Sequence, residues 1–491
     1  MASRSSSRAI ACRRWLLALL CLQCAPVAAA SLDFTVAASE PVMVTGTPRI
    51  AIDVGGVTRH AAYASGTGTA ALTFSYVVQA GDFDADGITL AAPLDLNGGT
   101  LTDVAGNPAS SLTFTAPDTS ALKVQTYTAA FTTNPITQAN ASAVDFAIVK
   151  APTGASFTYS ITSDGGSGSV TGSGTIGGNP HTVSGVDVSS LPTGTLTLSV
   201  TVSTAAGGTG VARSTTATPS FTGVLDGVSA TTAFATRRLR SAYTGPLLRV
   251  RRAADNAAQD IGANIRGNID TAALAAFCGS DSCYLANWYD QSGNGRDVLQ
   301  ATAASQPRIV DAGTIETANG RPSIRFLPGT LMATSAAATW LNGTAYTLNA
   351  VAKLSSTATS FRLLMNTGVS GTNLVMHFGW KNNGSILLAH YGANSDGLFL
   401  ASPNLNLQIY SGEKFSTAGS AVWVNGAGLG TSIYPASMLN TPNPMRVGGG
   451  IINTFDGSWN GWMSEAMTFG SQIGAARAGL EANQKAWYGT P

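Results

Sequence analysis

The chain has 491 residues, of which 11% are charged and 44% hydrophobic, with a formal net charge of +1. That balance excludes a solvating disordered chain, and it offers no basic stripe for nucleic acid or for an anionic membrane surface. Fifty-five glycines among abundant Ala, Thr, Ser and Val, with almost no long run at helical spacing, predict an all-β protein of short strands and small-residue turns.

At the N-terminus, Arg8, Arg13 and Arg14 precede an apolar run over residues 15–20, and Ala28, Ala29 and Ala30 supply a small-residue cleavage site. This is the pattern of a secretory signal peptide cut after Ala30. The run is too short to span a bilayer, and no second apolar stretch reaches spanning length. The Arg13-Arg14 pair keeps a twin-arginine route open. The mature protein is therefore expected outside the cytoplasm, secreted, periplasmic or at the cell surface, without membrane insertion. Three of the five cysteines (Cys12, Cys21, Cys24) lie in that leader, which leaves Cys278 and Cys283. In an oxidising compartment these two are expected to pair, and without a nearby His or Cys they make a poor zinc site.

Over residues 31–118, strand-like runs alternate with turn signals. In "ALTFSYVV", Leu72, Phe74 and Tyr76 share one face while Thr73 and Ser75 share the other, the period of a half-buried strand. Turn signals at intervals of eight to twelve residues predict a sandwich of roughly seven strands. The segments "SEPVMVTGTPRIAIDVGG", "FSYVVQAGDFDADGITL" and "LDLNGGTLTDVAGN" resemble the immunoglobulin-like repeats of large bacterial surface proteins. A second such unit is expected over 119–224, where "GTLTLSVTVSTAAGGTG" carries a similar resemblance. Both imply spacer or adhesion modules. Within "GDFDADG", Asp82, Asp84 and Asp86 open like a calcium loop, but the twelfth position is Pro93 rather than Glu. That excludes an EF-hand loop and leaves two readings, a looser calcium site or ordinary turn polarity. No other cofactor is implied, since His60, His181, His377 and His390 show no metal-ligand spacing.

From 225 to the end, Trp and Arg concentrate. The runs "YTLNAVAKL", "NLVMHFGW", "GSILLAHYG", "AVWVNG" and "MRVGGG" predict a larger antiparallel sandwich. A closing helix is predicted over 472–487, with Ile473, Ala476, Leu480, Asn483 and Trp487 on one face. In "YDQSGNG" the turn chemistry makes Asp290 a cap for backbone N–H groups rather than an acid catalyst. Among the six arginines between 237 and 252, Arg249 and Arg251 share a strand face, and Asp255 and Asp260 follow closely. An internally paired strand is expected there rather than a polyanion site.

The stretches "RRLRSAYTGPLLRVRRAADNAAQDIG", "AALAAFCGSDSC", "YDQSGNGRDVLQA" and "QPRIV" closely resemble the catalytic domain of the arabinofuranosidase B family. Those proteins are secreted α-L-arabinofuranosidases with a concanavalin-A-like jelly roll. The resemblance is specific over about 235–326 and looser to the C-terminus. It implies that Cys278 and Cys283 form the family's short disulfide. It also implies a Glu nucleophile on a mid-domain strand and an Asp acid/base on a glycine-rich loop, with carboxyl groups about 5–5.5 Å apart as a retaining mechanism requires. The chain departs from that pattern. No cysteine follows Cys283, so the family's adjacent cysteine pair is missing, and no Glu lies between Glu316 and Glu413. The nucleophile position falls near Gly392 and the acid/base position near Asn453. Asp396 and Asp456 are the candidate catalytic carboxylates, with Glu465 as a substitute; against them, "NSDG" and "FDG" are ordinary turn signals.

Sugar binding has its own candidates in Trp380, Tyr391, Asn453 and Trp459. Aromatic planes stack on the C–H faces of sugars, and amides supply directional hydrogen bonds. Core packing is the competing reading for Trp380 and Trp459, and the expected one for Trp462. The expectation is thus an exported, carbohydrate-directed protein with two immunoglobulin-like sandwiches and a jelly roll. Its partner is a glycan of arabinan or arabinoxylan type, bound without the family's carboxylates. Two alternatives stand beside it: an active α-L-arabinofuranosidase with shifted carboxylates, and a structural or adhesion protein of the cell surface.

Overall fold

A computed structural model of the chain describes residues 30–356, 361–368, 374–381, 384–390, 397–400, 404–415, 419–432, 438–452 and 455–491. The signal-peptide region therefore lies outside the described residues. The chain is all-β with a C-terminal helix, and it divides into two compact units. One contains the chain up to Thr126 together with Ser203–Gly210; the other contains Tyr127–Val202 and Val211–Pro491. The second of the two β modules thus clusters with the C-terminal region. Among the described residues no helix is long and apolar enough to cross a membrane.

In the first unit a six-stranded sheet runs in the order Thr89–Asp95, Arg49–Val54, Val57–Ser65, Thr69–Val77, Ser31–Thr45 and Thr100–Asp103. The alternation read in "ALTFSYVV" holds: Leu72, Phe74 and Tyr76 are buried and Thr73 and Ser75 are not. Each such large apolar side chain contributes about 1.5–3 kcal/mol when fully buried.

Residues 127–217, which apart from Ser203–Gly210 lie in the second unit, form two sheets. One is His181–Val186, Val144–Val149 and Thr128–Phe131; the other has Ser156–Ser163 between Ser169–Thr175 and Leu196–Thr204. Beyond residue 225 a hydrogen-bonded ladder closes on itself around one apolar core that includes Phe234, Trp288, Phe326, Phe378 and Tyr410. On one side of that core lie Gln408–Lys414, Tyr346–Leu354, Gly461–Phe469 and Thr232–Ala235. Another run of the ladder contains Met332–Ala337, Pro444–Val447, Arg362–Asn366, Met376–Trp380, Ser385–His390 and Gly397–Leu400.

Helix α1, Thr271–Cys278, starts at Asp270, whose Oδ1 accepts from Ala273 N at 2.9 Å, a standard N-cap. It ends at Cys278, which is disulfide-bonded to Cys283, the first residue of strand Cys283–Trp288. The bridge ties the end of the helix to the start of the strand. The turn that follows is organised by Asp290: its carboxylate accepts from the backbone N–H of Ala233, Ser292 and Arg296 at 2.8, 2.9 and 3.0 Å. The arginine strand is internally paired as expected, Arg249 with Asp260 and Arg252 with Asp255.

Helix α2, Ala475–Tyr488, differs from its expected face. The buried residues are Leu480, Glu481, Gln484 and Tyr488 rather than the stripe through Asn483 and Trp487. The reason is that this helix buries polar groups. Gln484 Nε2 donates to Asn349 Oδ1 and to Glu465 Oε2, each at 2.7 Å, and Tyr488 OH donates to Glu465 Oε1 at 3.0 Å.

Candidate functional site

Alternation along the Met376–Trp380 sheet creates two faces. Val447, Met365, Phe378 and Leu388 stand in register and enter the core. One residue along each strand, Arg446, Asn366, His377 and Ala389 form a second row across the sheet. Because successive side chains point to opposite faces, this row looks away from the core. His390 turns the other way, with Nε2 2.8 Å from the OH of the core residue Tyr346.

Asn366 and His377 are nonetheless buried, at 0% and 4% exposure. Asn366 Nδ2 donates to the Gly368 carbonyl at 3.3 Å, while its Oδ1 has no hydrogen-bond partner among the described residues. Burial pushes the His377 imidazole down to about 4, against the opposing pull of a bond to the Gly368 carbonyl. At neutral pH this ring is uncharged and presents one donor and one acceptor.

The backbone of "VGGG" lies against this row. A Cβ at Gly450 would stand 3.0 Å from Arg446 Nη1 and 3.5 Å from Asn366 Nδ2, so the backbone there lies against both side chains. At Gly449, with φ +88°, a Cβ would fall 2.2 Å from the Gly457 carbonyl oxygen, and no side chain fits. The strands Ile451–Ile452 and Phe455–Asp456 pair with one another next in the chain, Ile451 opposite Asp456.

Of the residues singled out from sequence, Asp396, Tyr391 and Asn453 lie outside the described residues, and Asp456 is described only through its backbone in this hairpin. Trp380 and Trp459 are 2% and 0% exposed and belong to the core. Their Nε1 groups donate to Tyr410 OH and to the Trp462 carbonyl, both at 3.3 Å, and both rings meet Tyr410 edge-on. Neither indole offers an open face for a sugar. Trp462, expected in the core, is only partly buried; it donates to Glu316 Oε2 at 2.9 Å and lies under Arg325 and Lys353.

Glu465 is fully buried beneath helix α2, ion-paired with Arg237, and serves the fold. Other carboxylates of the C-terminal region are also engaged: Asp226 accepts from Gly223 N and Ser241 N, Glu316 pairs with Arg308, and Glu481 pairs with Arg477. In the first unit, Asp82 accepts from Arg59, Tyr76 OH and Gln79 N. Asp84 accepts from Gly55 N and Gly87 N, while Asp86 is exposed. Among the described residues, no group of three or more His, Cys, Asp or Glu is placed to hold a metal ion.

Asn366, His377 and Arg446 are the residues that sequence reasoning missed. Their signal was a single polar side chain at alternate positions of "LLMN", "MHFGW" and "MRV", strands that otherwise read as apolar core. Chemically the row can donate to and accept from hydroxyl groups. It brings no carboxylate of its own.

The domain is all-β, and part of it is similar to known proteins. Residues 226–360 match the family model described as alpha-L-arabinofuranosidase B, catalytic. The chain is 46% identical over 66 residues to an alpha-L-arabinofuranosidase of Hypocrea jecorina, and 45% identical over 67 residues to alpha-L-arabinofuranosidase B of Emericella nidulans. In both cases the match spans 13% of this chain and 13% of the relative. A crystal structure of an arabinofuranosidase complexed with arabinofuranosyl-alpha-1,2-xylobiose aligns at a TM-score of 0.40 and 16% identity, over 52% of this chain and 62% of that one.

Proposed function

We propose that the protein is exported by its N-terminal leader and binds arabinofuranosyl-bearing glycans on the polar row of its C-terminal domain, without cleaving them. The first two β modules act as immunoglobulin-like spacers. The observation that carries this reading is the composition of the row: Arg446, Asn366 and a neutral His377 supply hydrogen-bonding groups where hydrolysis requires two carboxyl groups. Similarity of residues 226–360 to the arabinofuranosidase B catalytic domain supports the glycan class.

One observation favours hydrolysis as a second reading. Strand Gly397–Leu400 begins one residue after Asp396, and the hairpin holding Asp456 follows directly from the glycines that touch the row. The two readings separate in one experiment on the mature chain. Incubation with 4-nitrophenyl α-L-arabinofuranoside should release no nitrophenol, while affinity electrophoresis through arabinan or arabinoxylan should retard the protein. Nitrophenol release that disappears in Asp456→Asn would establish the hydrolase instead.

A further inference from the structure

A cleft of about 270 Å³ lies within the second unit, at the junction of its β module and its C-terminal region. Gly165 and Thr193 form one wall; Arg238, Tyr243, Asp260 and Gly262 contribute to the other. The walls are fixed to each other by backbone. Pro192 and Asn264 form an antiparallel bridge, Thr193 N donates to the Ala263 carbonyl at 2.8 Å, and Ile265 N donates to the Leu191 carbonyl at 2.9 Å. Thr193 Oγ1 adds a bond to the Asn264 carbonyl at 2.8 Å. Gly165 is equally constrained, since a Cβ there would fall 1.8 Å from the Thr193 carbonyl oxygen. The cleft is therefore a built feature rather than a gap between mobile parts.

Its lining specifies a ligand class. Arg238 is 8% exposed. Its Nε donates to the Arg240 carbonyl at 3.0 Å, Nη2 donates to the Ser241 carbonyl, and the guanidinium stacks on Phe221 at 4.5 Å. Asp260 is exposed, and its bonds from Arg249 Nη1 and Tyr289 OH both fall on Oδ1, which leaves Oδ2 to accept from a ligand. One cation and one anion in the same wall favour a ligand without net charge. The half-buried Tyr243 ring supplies a flat apolar surface beside them. The volume corresponds to about nine waters and sits just under the range of about 300–1,000 Å³ usual for small-molecule sites. That is room for one or two small rings, not for a polymer strand.

We infer that this cleft is a second saccharide site, which takes a neutral mono- or disaccharide unit separately from the polar row. The two sites can be tested independently. Isothermal titration of the mature chain with L-arabinose, arabinobiose and xylobiose is combined with amide hydrogen exchange at a saturating concentration of the sugar. At least one of these sugars should protect amides within 243–247 and 260–263. Gly262→Phe should weaken that binding at least tenfold: a Cβ at Gly262 meets nothing within 4 Å, so the ring enters the cleft without crowding the backbone. Asp260→Asn should weaken it by a smaller factor. The inference is overturned if none of the three sugars protects these amides, if protection is confined to the polar row, or if Gly262→Phe keeps wild-type affinity. Exchange on the wild-type chain decides the matter even where a variant fails to fold.

Discussion

Two polar clusters in the C-terminal region occupy sheet faces turned away from the same core, and they are built on opposite terms. Beneath helix α2, Arg237 and Glu465 form a fully buried ion pair. Gln484 and Tyr488 donate to the Glu465 carboxylate and Asn349 bonds Gln484, while the guanidinium, whose Nη2 has no hydrogen-bond partner among the described residues, lies 4.6 Å from the Trp487 ring. In the row beside "VGGG", Asn366 and His377 are just as deeply placed but uncharged: Asn366 Oδ1 has no partner among the described residues and His377 is kept neutral. A buried charge needs a counter-charge beside it, which Arg237 and Glu465 give each other, whereas a neutral amide or imidazole with an unmet hydrogen bond costs far less to bury. The first cluster is architecture, and the second is the row on which we propose that a glycan binds.

The largest test of that contrast is Glu465→Ala. It leaves the Arg237 charge buried without its carboxylate and should cost about 3–5 kcal/mol in chemical denaturation, with much of the loss recovered in Glu465→Leu combined with Arg237→Met. An unchanged midpoint would erase the distinction between the clusters.

The next effect is one of pH. The unfolded His377 takes up a proton near its ordinary 6.5, but the folded one only near about 4. The unfolded state therefore binds more protons in that window, and stability falls as pH drops from 6.5 toward 4, by about 3 kcal/mol in all at about 1.4 kcal/mol per pH unit. Above 6.5 the contribution is flat. Denaturation of wild type and His377→Gln across pH 4–8 should show the slope only in the former.

The smallest stability effect belongs to Asn366→Ala. It should lie within about 1 kcal/mol, because the lost side chain held one long bond and an unmet acceptor, while affinity for arabinan should drop about tenfold. A large loss of stability with unchanged retention in affinity gels would return Asn366 to the architecture.

Where local chemistry decides the structure, the sequence was a sufficient guide. Leu72, Phe74 and Tyr76 lie inward by strand period, Asp290 caps its turn, Arg249 and Arg252 find Asp260 and Asp255, and Cys278 meets Cys283. Legibility failed where burial and polarity part company. Helix α2 buries Gln484 and Tyr488 because the Glu465 carboxylate on the preceding strand and the Asn349 amide, 135 residues from Gln484, wait beneath them, while Glu481 pairs with Arg477 on the helix itself. No hydrophobic stripe records that. Trp459 and Trp462, three residues apart in one glycine-rich stretch, took fates opposite to those their neighbours suggested: the strand start at Gly461 carries Trp459 into the core and sets Trp462 on the outside. The polar row itself was visible only as isolated Asn, His and Arg letters in apolar strands.

The bridge between Pro192 and Asn264 has a practical bearing on how the molecule can be divided. A fragment cut at the composition shift near residue 221 would strip Ala263 and Ile265 of their backbone bonds and uncover the ring that shields Arg238. A piece that keeps these bonds must therefore include the β module that begins at Tyr127.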